Sequence, residues 1–377
     1  MPDFSFKILH QSSKSKAKLG QIITPHGVIN TPCFVPVATN ASLKGVPESL
    51  LNPFPNIELM FCNTYHLLLQ PGPETISLAG GLHNFMNHSA PLITDSGGFQ
   101  VFSLAYGSVF EELKSKGKQK GSGCVLKITE EGVLFRSYRD GKAILLTPEN
   151  SVTTQKNLGA DIIIPLDELL PYHVDQEYLK ESLNRTHRWE KRSLDTHLKD
   201  PRKQAMYGVV HGGPNLDLRK YSCDVLSDMS FNGFAIGGSV GKTKEELDTI
   251  VKFTRNHLPP EKPVHLLGIG DPTSIKNLVQ YGIDSFDSSY PTKAARHGTL
   301  FTSEGPLKIE KRQYANDFNK IDSLCKCLTC QKHHRAYIHH LFKSNELAGL
   351  SLASIHNLQY MVDMMEKIRL DILKNLI

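Results

Sequence analysis

The amino-acid sequence predicts an α/β chain built as a (β/α)8, or TIM, barrel followed by a C-terminal metal-binding subdomain. Three observations carry this expectation. Eight short apolar segments recur between residues 34 and 292. Most are separated by about 20 to 35 residues, the length of one helix with its two loops. Beyond the last of them, three cysteines crowd together at Cys325, Cys327 and Cys330.

The segments are residues 34–39, 59–67, 92–99, 161–168, 206–213, 231–239, 264–270 and 285–292. Each starts apolar and ends in polar or glycine residues, as barrel strands do where they reach the catalytic face. The gaps carry helical charge patterns, DQEYLKESLNRTHRWEKRSLDTHL after the fourth segment and KTKEELDTIVKFTRNHL after the sixth. A doubly wound open sheet is the competing architecture, because it shares the same local alternation. The gap between the third and fourth segments is too long for one helix. It holds EELKSKGKQKGSG, which reads as a Lys/Gly-rich surface insertion near 105–125, with Lys114, Lys116, Lys118 and Lys120 in reach of a phosphate backbone. The chain therefore divides into a barrel with an N-terminal extension, 1–302, and a metal-binding subdomain with helices packed on it, 303–377. In SIHNLQYMVDMMEKIRLDIL, Ile355, Leu358, Val362, Met365 and Ile372 share a helical face, expected in core or subunit contact.

Composition narrows the class. The chain has 377 residues, 40% hydrophobic and 21% charged, with a net charge of +5. That balance permits a nucleic-acid partner without demanding one. No uncharged apolar run approaches the ~20 residues of a membrane span. The start, MPDFSFKILHQSSKSKAKLG, lacks the apolar core of a signal peptide or anchor. Cys33, Cys62, Cys124 and Cys223 are scattered singly and read as small buried hydrophobes. One metal site and no disulfide framework imply a cytoplasmic protein.

The chemistry is expected at the polar strand ends. Asp95, Asp167 and Asp287 end the third, fourth and eighth segments and so converge on one mouth. Glycosyl chemistry uses one carboxylate to attack an anomeric carbon and another to move a proton. The glycine-rich ends, His211-Gly212-Gly213 and Gly237-Gly238-Ser239 among them, let a planar heterocycle approach bare backbone, and Phe99 is placed to stack on it. Taken alone, the three aspartates leave glycosidase, phosphotransferase and lyase open. Cys-x-Cys-x2-Cys supplies three thiolates, and zinc takes four tetrahedral ligands. His333, His334, His339, His340 and His356 are all candidates for the fourth by spacing. A closed ligand set outside the barrel segments reads as structural.

With these parts in place, the chain closely resembles the bacterial queuine/preQ1 tRNA-ribosyltransferases, the tRNA-guanine transglycosylases, from about residue 4 to about residue 373. The carriers are CNTYHLLLQPG, LITDSGGFQVFSL, PLDE, FNGFAIGGS, LLGIGDP, GIDSFDSSYPTKAARHG, CKCLTCQKHHRAYIHHLFKSNELAG and SIHNLQY. The resemblance implies exchange of the guanine at the wobble position of tRNA for a 7-deazaguanine, preQ1 or queuine, by double displacement. It implies Asp287 as the nucleophile and Asp95 as the general acid/base. It places Asp167, the Gly238 N–H and the residue at His211 on the edge of the base, with Phe99 and Leu267 on its two faces. Lys293 and Arg296 correspond to the pair that contacts the anticodon loop. Cys325, Cys327, Cys330 and His356 correspond to the ligands of one structural Zn2+, which selects His356 by similarity. The partners implied are tRNAs with a U-G-U anticodon-loop element, those for Asp, Asn, His and Tyr, and a second copy of the chain in a homodimer. The principal rival is a non-catalytic tRNA-binding subunit, which the presence of all three aspartates disfavours.

Three departures from the family pattern cluster near the base. Val210-His211-Gly212 stands where Gln-Gln-Gly is usual, so an imidazole replaces a glutamine. Gly237-Gly238-Ser239-Val240-Gly241 is one residue shorter than the usual Gly-Gly-Leu-Ala-Val-Gly, and Leu169 replaces a cysteine. A shorter loop widens the pocket near the 7-substituent, and the expectation is a shift of specificity from preQ1 toward the bulkier queuine.

Overall fold

The computed structural model describes residues 4–51, 55–106 and 124–377. An antiparallel sheet of three strands, Ser5–Gln11, Lys18–Thr24 and Gly27–Thr31, comes first. Eight parallel strands follow: Cys33–Pro36, Met60–Cys62, Leu92–Thr94, Ile162–Ile163, Ala205–Val210, Gly233–Ile236, Val264–Leu266 and Ser285–Ser288. Each of strands two to eight pairs with its predecessor or successor, and the first pairs with the eighth. A bridge between Val37 and Phe61 joins the first strand to the second, so the sheet curls into a nearly closed barrel. An open doubly wound sheet would keep two unpaired edges. The barrel expectation holds.

The strands are shorter than the apolar segments that announced them. In the second, third and eighth segments a helix starts within the expected strand, at Thr64, Gly98 and Tyr290. The polar ends leave the hydrogen-bond ladder to form the mouth, while only the apolar beginnings stay paired. Between the third and fourth strands lies an antiparallel sheet, Val125–Ile128, Val133–Arg136 and Ala143–Leu146, that the sequence reading did not foresee. Lys114, Lys116, Lys118 and Lys120 lie outside the described residues.

One end of the barrel is sealed and the other is left for chemistry. Val35, Phe61, Ile93, Ile162, Ile164, Tyr207, Val209 and Ala235 fill the interior together with Ile22 and Ile29 of the N-terminal sheet. Each fully buried aliphatic or aromatic side chain of this kind contributes about 1.5–3 kcal/mol. The same sheet is pinned by Asp161, at the start of the fourth strand. Asp161 accepts from the Leu92 N–H at 2.9 Å and faces the His26 ring at 2.8 Å. Burial pushes its carboxyl up, but bonds from His26, His83 and Leu92 outweigh it and hold the group well below the usual carboxylate range. The N-terminal end is thus a structural seal.

The C-terminal helix Leu347–Leu373 packs along the outside. Ile355, Leu358, Met365 and Ile372 are buried as the periodicity predicts, joined by Met361 and Ile368, while Val362 sits half-buried at the stripe's edge. The face belongs to the core. Cys33, Cys62 and Cys223 are buried as expected, and Cys124 is only half-buried. No helix among the described residues is long and apolar enough to cross a membrane.

Candidate active site and metal centre

The open end of the barrel holds a cavity of about 700 Å³ whose walls include Asp95, Phe99, Asp167, Gly238, Leu267 and Asp287. Three aspartates from three different strand ends therefore meet in one space.

Asp95 follows the third strand and is buried. It accepts from Asn63 Nδ2 at 2.6 Å and from the Thr64 N–H at 2.7 Å, both from the end of the second strand. Burial drives its carboxyl up, partly offset by the bonds from Asn63, Thr64 and Gln100, and the group settles at about 6. A carboxyl poised there can be found in either protonation state near neutrality.

Asp167 is braced on both oxygens. Ser96 Oγ donates to Oδ1 at 2.8 Å, and His211 Nε2 lies 2.9 Å from Oδ2. Gly98 allows this approach: a Cβ there would fall 2.4 Å from the Asp167 carbonyl oxygen and 2.6 Å from its Oδ1. His211 thus sits against the Asp167 carboxylate from behind and does not itself line the cavity, so the structure does not bring it to the cavity wall as the sequence led us to expect. Gly238 has a φ of +75°, a left-handed conformation natural to glycine, and a Cβ would come within 2.9 Å of His211 Nδ1.

Asp287 ends the eighth strand and is buried. His265 Nε2 and the Gly268 N–H both lie 3.0 Å from its Oδ1. Both of these contacts fall on one oxygen, and no described protein donor reaches Oδ2. The arrangement leaves one carboxylate oxygen for an electrophile in the cavity. Phe99 is 46% exposed, which leaves ring surface for a planar ligand. Leu267 is half-buried in the opposite wall. Lys293 is exposed and Arg296 half-buried, both on the helix Tyr290–Arg296 that follows the Asp287 strand directly.

Away from the mouth, Cys325, Cys327, Cys330 and His356 are all buried, with their ligand atoms within 4.8 Å of one another. His356 Nδ1 lies 3.3 Å from the Cys330 sulfur, and Nε2 lies 2.7 Å from the Phe301 carbonyl. Donation from Nε2 fixes the tautomer that turns the Nδ1 lone pair toward the thiols, as ligand histidines require. Three sulfurs and one imidazole nitrogen fit a tetrahedral metal site of the zinc type. Only His356 of the five candidate histidines joins the cysteines among the described residues: His339 faces the Ile309 carbonyl at 2.7 Å, His334 caps a helix, His333 stacks on Tyr337, and His340 is exposed.

Comparison with known proteins agrees with this geometry. The family signature described as queuine tRNA-ribosyltransferase matches residues 12–376. The chain is 59% identical to the queuine tRNA-ribosyltransferase of Protochlamydia amoebophila (strain UWE25) over 377 residues, 100% of this chain and 97% of the relative. It is 58% identical to that of Chlamydia felis (strain Fe/C-56) and 56% identical to that of Chlamydia trachomatis serovar D, each over 98% of both chains. The chain belongs to the queuine tRNA-ribosyltransferase family.

Within this queuine tRNA-ribosyltransferase family chain, two buried groups escaped the sequence reading. Arg219, fully buried, donates to the carbonyls of Gly213 at 2.8 Å, Gly237 at 3.0 Å and Ser239 at 3.1 Å, tying the fifth- and sixth-strand loops together. Burial lowers its guanidinium to about 10, which still leaves it charged at neutral pH. Nothing in LDLRKYSC separates Arg219 from a surface arginine. His265 was detectable in principle. Alternate strand residues share a face, so His265 stands with Leu267, and Ser285 stands with Asp287.

Proposed function

We propose that the chain exchanges guanine at the wobble position of tRNAs with a U-G-U anticodon-loop element, those for Asp, Asn, His and Tyr, for a 7-deazaguanine. Family membership supports the overall reaction. The observation that carries the residue roles is the half-free Asp287 carboxylate facing the same cavity as Asp95. Asp287 Oδ2 attacks C1′ of the flipped nucleoside. The C1′–N9 bond breaks, and guanine leaves with the proton of Asp95. The incoming base then gives its N9 proton to Asp95 and attacks C1′, and two inversions retain the anomeric configuration. Asp167 accepts from the N1/N2 edge of the base. Its pairing with His211 supports this role, because the imidazole holds the carboxylate in place beside the base. The Gly238 N–H faces the base carbonyl, and Phe99 and Leu267 sandwich the ring. Lys293 and Arg296 reach the loop phosphates or flanking bases. The four-ligand cluster holds a structural Zn2+, which ties the chain together there and takes no part in bond making. The chain works as a homodimer in the cytoplasm, consistent with its thiol usage.

Two experiments test this reading. Purified protein, unmodified tRNA and isotopically labelled guanine are expected to give label in the tRNA, and no incorporation would refute the activity. Queuine is expected to be incorporated at least as well as preQ1. The cavity supports that order, since it continues past Gly238 to Val240, Lys242, Leu247 and Asp271, room that an aminomethyl group does not need. Better use of preQ1 would remove the specificity claim and leave the exchange intact.

Asp95 gives a pH test. With its carboxyl at about 6, the acid form needed for guanine release is full below that pH and is lost as pH rises through it. Guanine release from tRNA without an incoming base should therefore slow about tenfold per pH unit above that point. Asp95→Asn should flatten that limb and slow release roughly 10²–10⁴-fold. An unchanged pH profile in the variant would assign the proton to another group.

A further inference from the structure

We propose that His265 is a positioning residue that keeps the Asp287 linkage reversible, by donating to the oxygen on which the carboxylate charge returns when the linkage breaks. This rests on the reading of Asp287 as nucleophile and goes beyond it.

His265 is fully buried in the seventh strand, paired in register with Ser285 of the eighth. Its ring spans two neighbours on that strand: Nδ1 lies 2.7 Å from Ser285 Oγ, and Nε2 lies 3.0 Å from Asp287 Oδ1. A carboxylate only accepts, so Nε2 carries the proton. A neutral ring then accepts the Ser285 hydroxyl at Nδ1. A buried neutral imidazole has one acceptor and one donor nitrogen, and Ser285 meets only the acceptor. The donor falls on the carboxylate read as the nucleophile, on an oxygen whose charge changes in the reaction, so the same bond that satisfies the ring also acts on the reacting group.

The consequence follows from where charge sits. In the first half-reaction the Oδ2–C1′ bond forms, the C1′–N9 pair departs with guanine, and Oδ1 becomes an ester carbonyl, a weaker acceptor. In the second, N9 of the incoming base attacks, the C1′–Oδ2 pair returns to the carboxylate, and Oδ1 regains charge facing two fixed donors, His265 Nε2–H and Gly268 N–H. Donors preorganised at Oδ1 favour the carboxylate over the ester. They oppose formation of the linkage and assist its breakdown, so the covalent tRNA adduct does not accumulate. The Gly268 donor is backbone and beyond side-chain variation. His265 is the adjustable half.

The test uses the full-length protein with end-labelled tRNA. It measures the fraction of enzyme carrying a denaturation-resistant adduct, then the rate at which added guanine chases it. His265→Leu is expected to raise the adduct fraction and to slow the chase by about tenfold or more, the effect of losing a hydrogen bond to a charged group. His265→Gln, whose amide N–H reaches toward the same oxygen, is expected to restore both toward the unaltered protein. Damage to packing alone would slow formation and breakdown together without raising the adduct fraction. An unchanged or lower adduct fraction in folded His265→Leu overturns the proposal. If that variant fails to fold by circular dichroism, Ser285→Ala takes its place. It frees the ring at Nδ1 and is expected to give a smaller change of the same sign, and an unchanged chase there overturns the proposal. If the unaltered protein gives no adduct while exchanging guanine, the nucleophile reading fails first and takes this inference with it.

Discussion

Asp287→Asn is expected to abolish the covalent tRNA adduct and to cut guanine exchange by roughly three orders of magnitude or more, the scale seen when a covalent nucleophile is removed. The substitution is nearly isosteric. An asparagine Oδ1 can still accept from the Gly268 N–H and from His265, which reach the native Oδ1 at 3.0 Å, so the eighth strand keeps its anchoring. What disappears is the anionic second oxygen. An amide nitrogen has its lone pair delocalised into the carbonyl and cannot attack C1′ in its place. Binding of tRNA should change little, since Lys293, Arg296, Phe99 and Asp167 are untouched. Single-turnover release of labelled guanine, alongside a filter-binding affinity for tRNA, separates the two effects. Undiminished release with intact binding would show that this carboxylate is not the nucleophile, and the double-displacement scheme would go with it.

The parts of this site that were legible in the sequence are those tied to a strand end. Asp95, Asp167 and Asp287 could be placed together because barrel topology forces the ends of parallel strands to one face, whatever separates them in sequence. The barrel itself was legible because its interior needs apolar strand starts, and those recur visibly. Strand lengths were not legible. An apolar run does not say at which residue the chain leaves the ladder, and in segment 59–67 a helix begins at Thr64 under the same hydrophobic pattern. The sheet at Val125–Leu146 was missed because half-exposed strands of four residues carry little alternation. His356 could be chosen only by resemblance. Its selection over His333 or His340 depends on the long helix Leu347–Leu373 running past the cysteines, a tertiary fact that spacing does not encode. Arg219 illustrates the same limit: its carbonyl partners at Gly213, Gly237 and Ser239 lie on two loops that sequence separates and folding brings together.

Stripping the metal from the four-ligand cluster is expected to lower the thermal unfolding midpoint on the order of 10 °C and to weaken tRNA binding, with both restored by Zn2+ and not by Mg2+. The argument begins with the neighbours of His356. The next residue, Asn357, donates to the carbonyls of Pro291 and Thr299 at 3.0 Å each and accepts from the Phe301 N–H at 3.0 Å. It therefore grips both ends of the segment that carries Lys293 and Arg296. His356 itself holds the Phe301 carbonyl. Cys325, Cys327 and Cys330 come from a short loop and the helix Leu328–Lys332, elements too small to fix their own position by apolar burial. A tetrahedral ion bound by the four ligands would supply that fixing, and the apparent contribution of zinc in small zinc modules is about 10–16 kcal/mol at neutral pH. Here much of the long helix remains anchored by Ile355, Leu358, Met361 and Ile368, so loosening is local rather than global. The loss should consequently appear as weaker tRNA affinity and a lower midpoint, with guanine release from saturating tRNA less affected. Cys330→Ser should reproduce the chelated state, and His333→Ala, outside the cluster, should not. Metal-free protein, verified by elemental analysis, that unfolds at the unaltered temperature would deny the cluster its structural role.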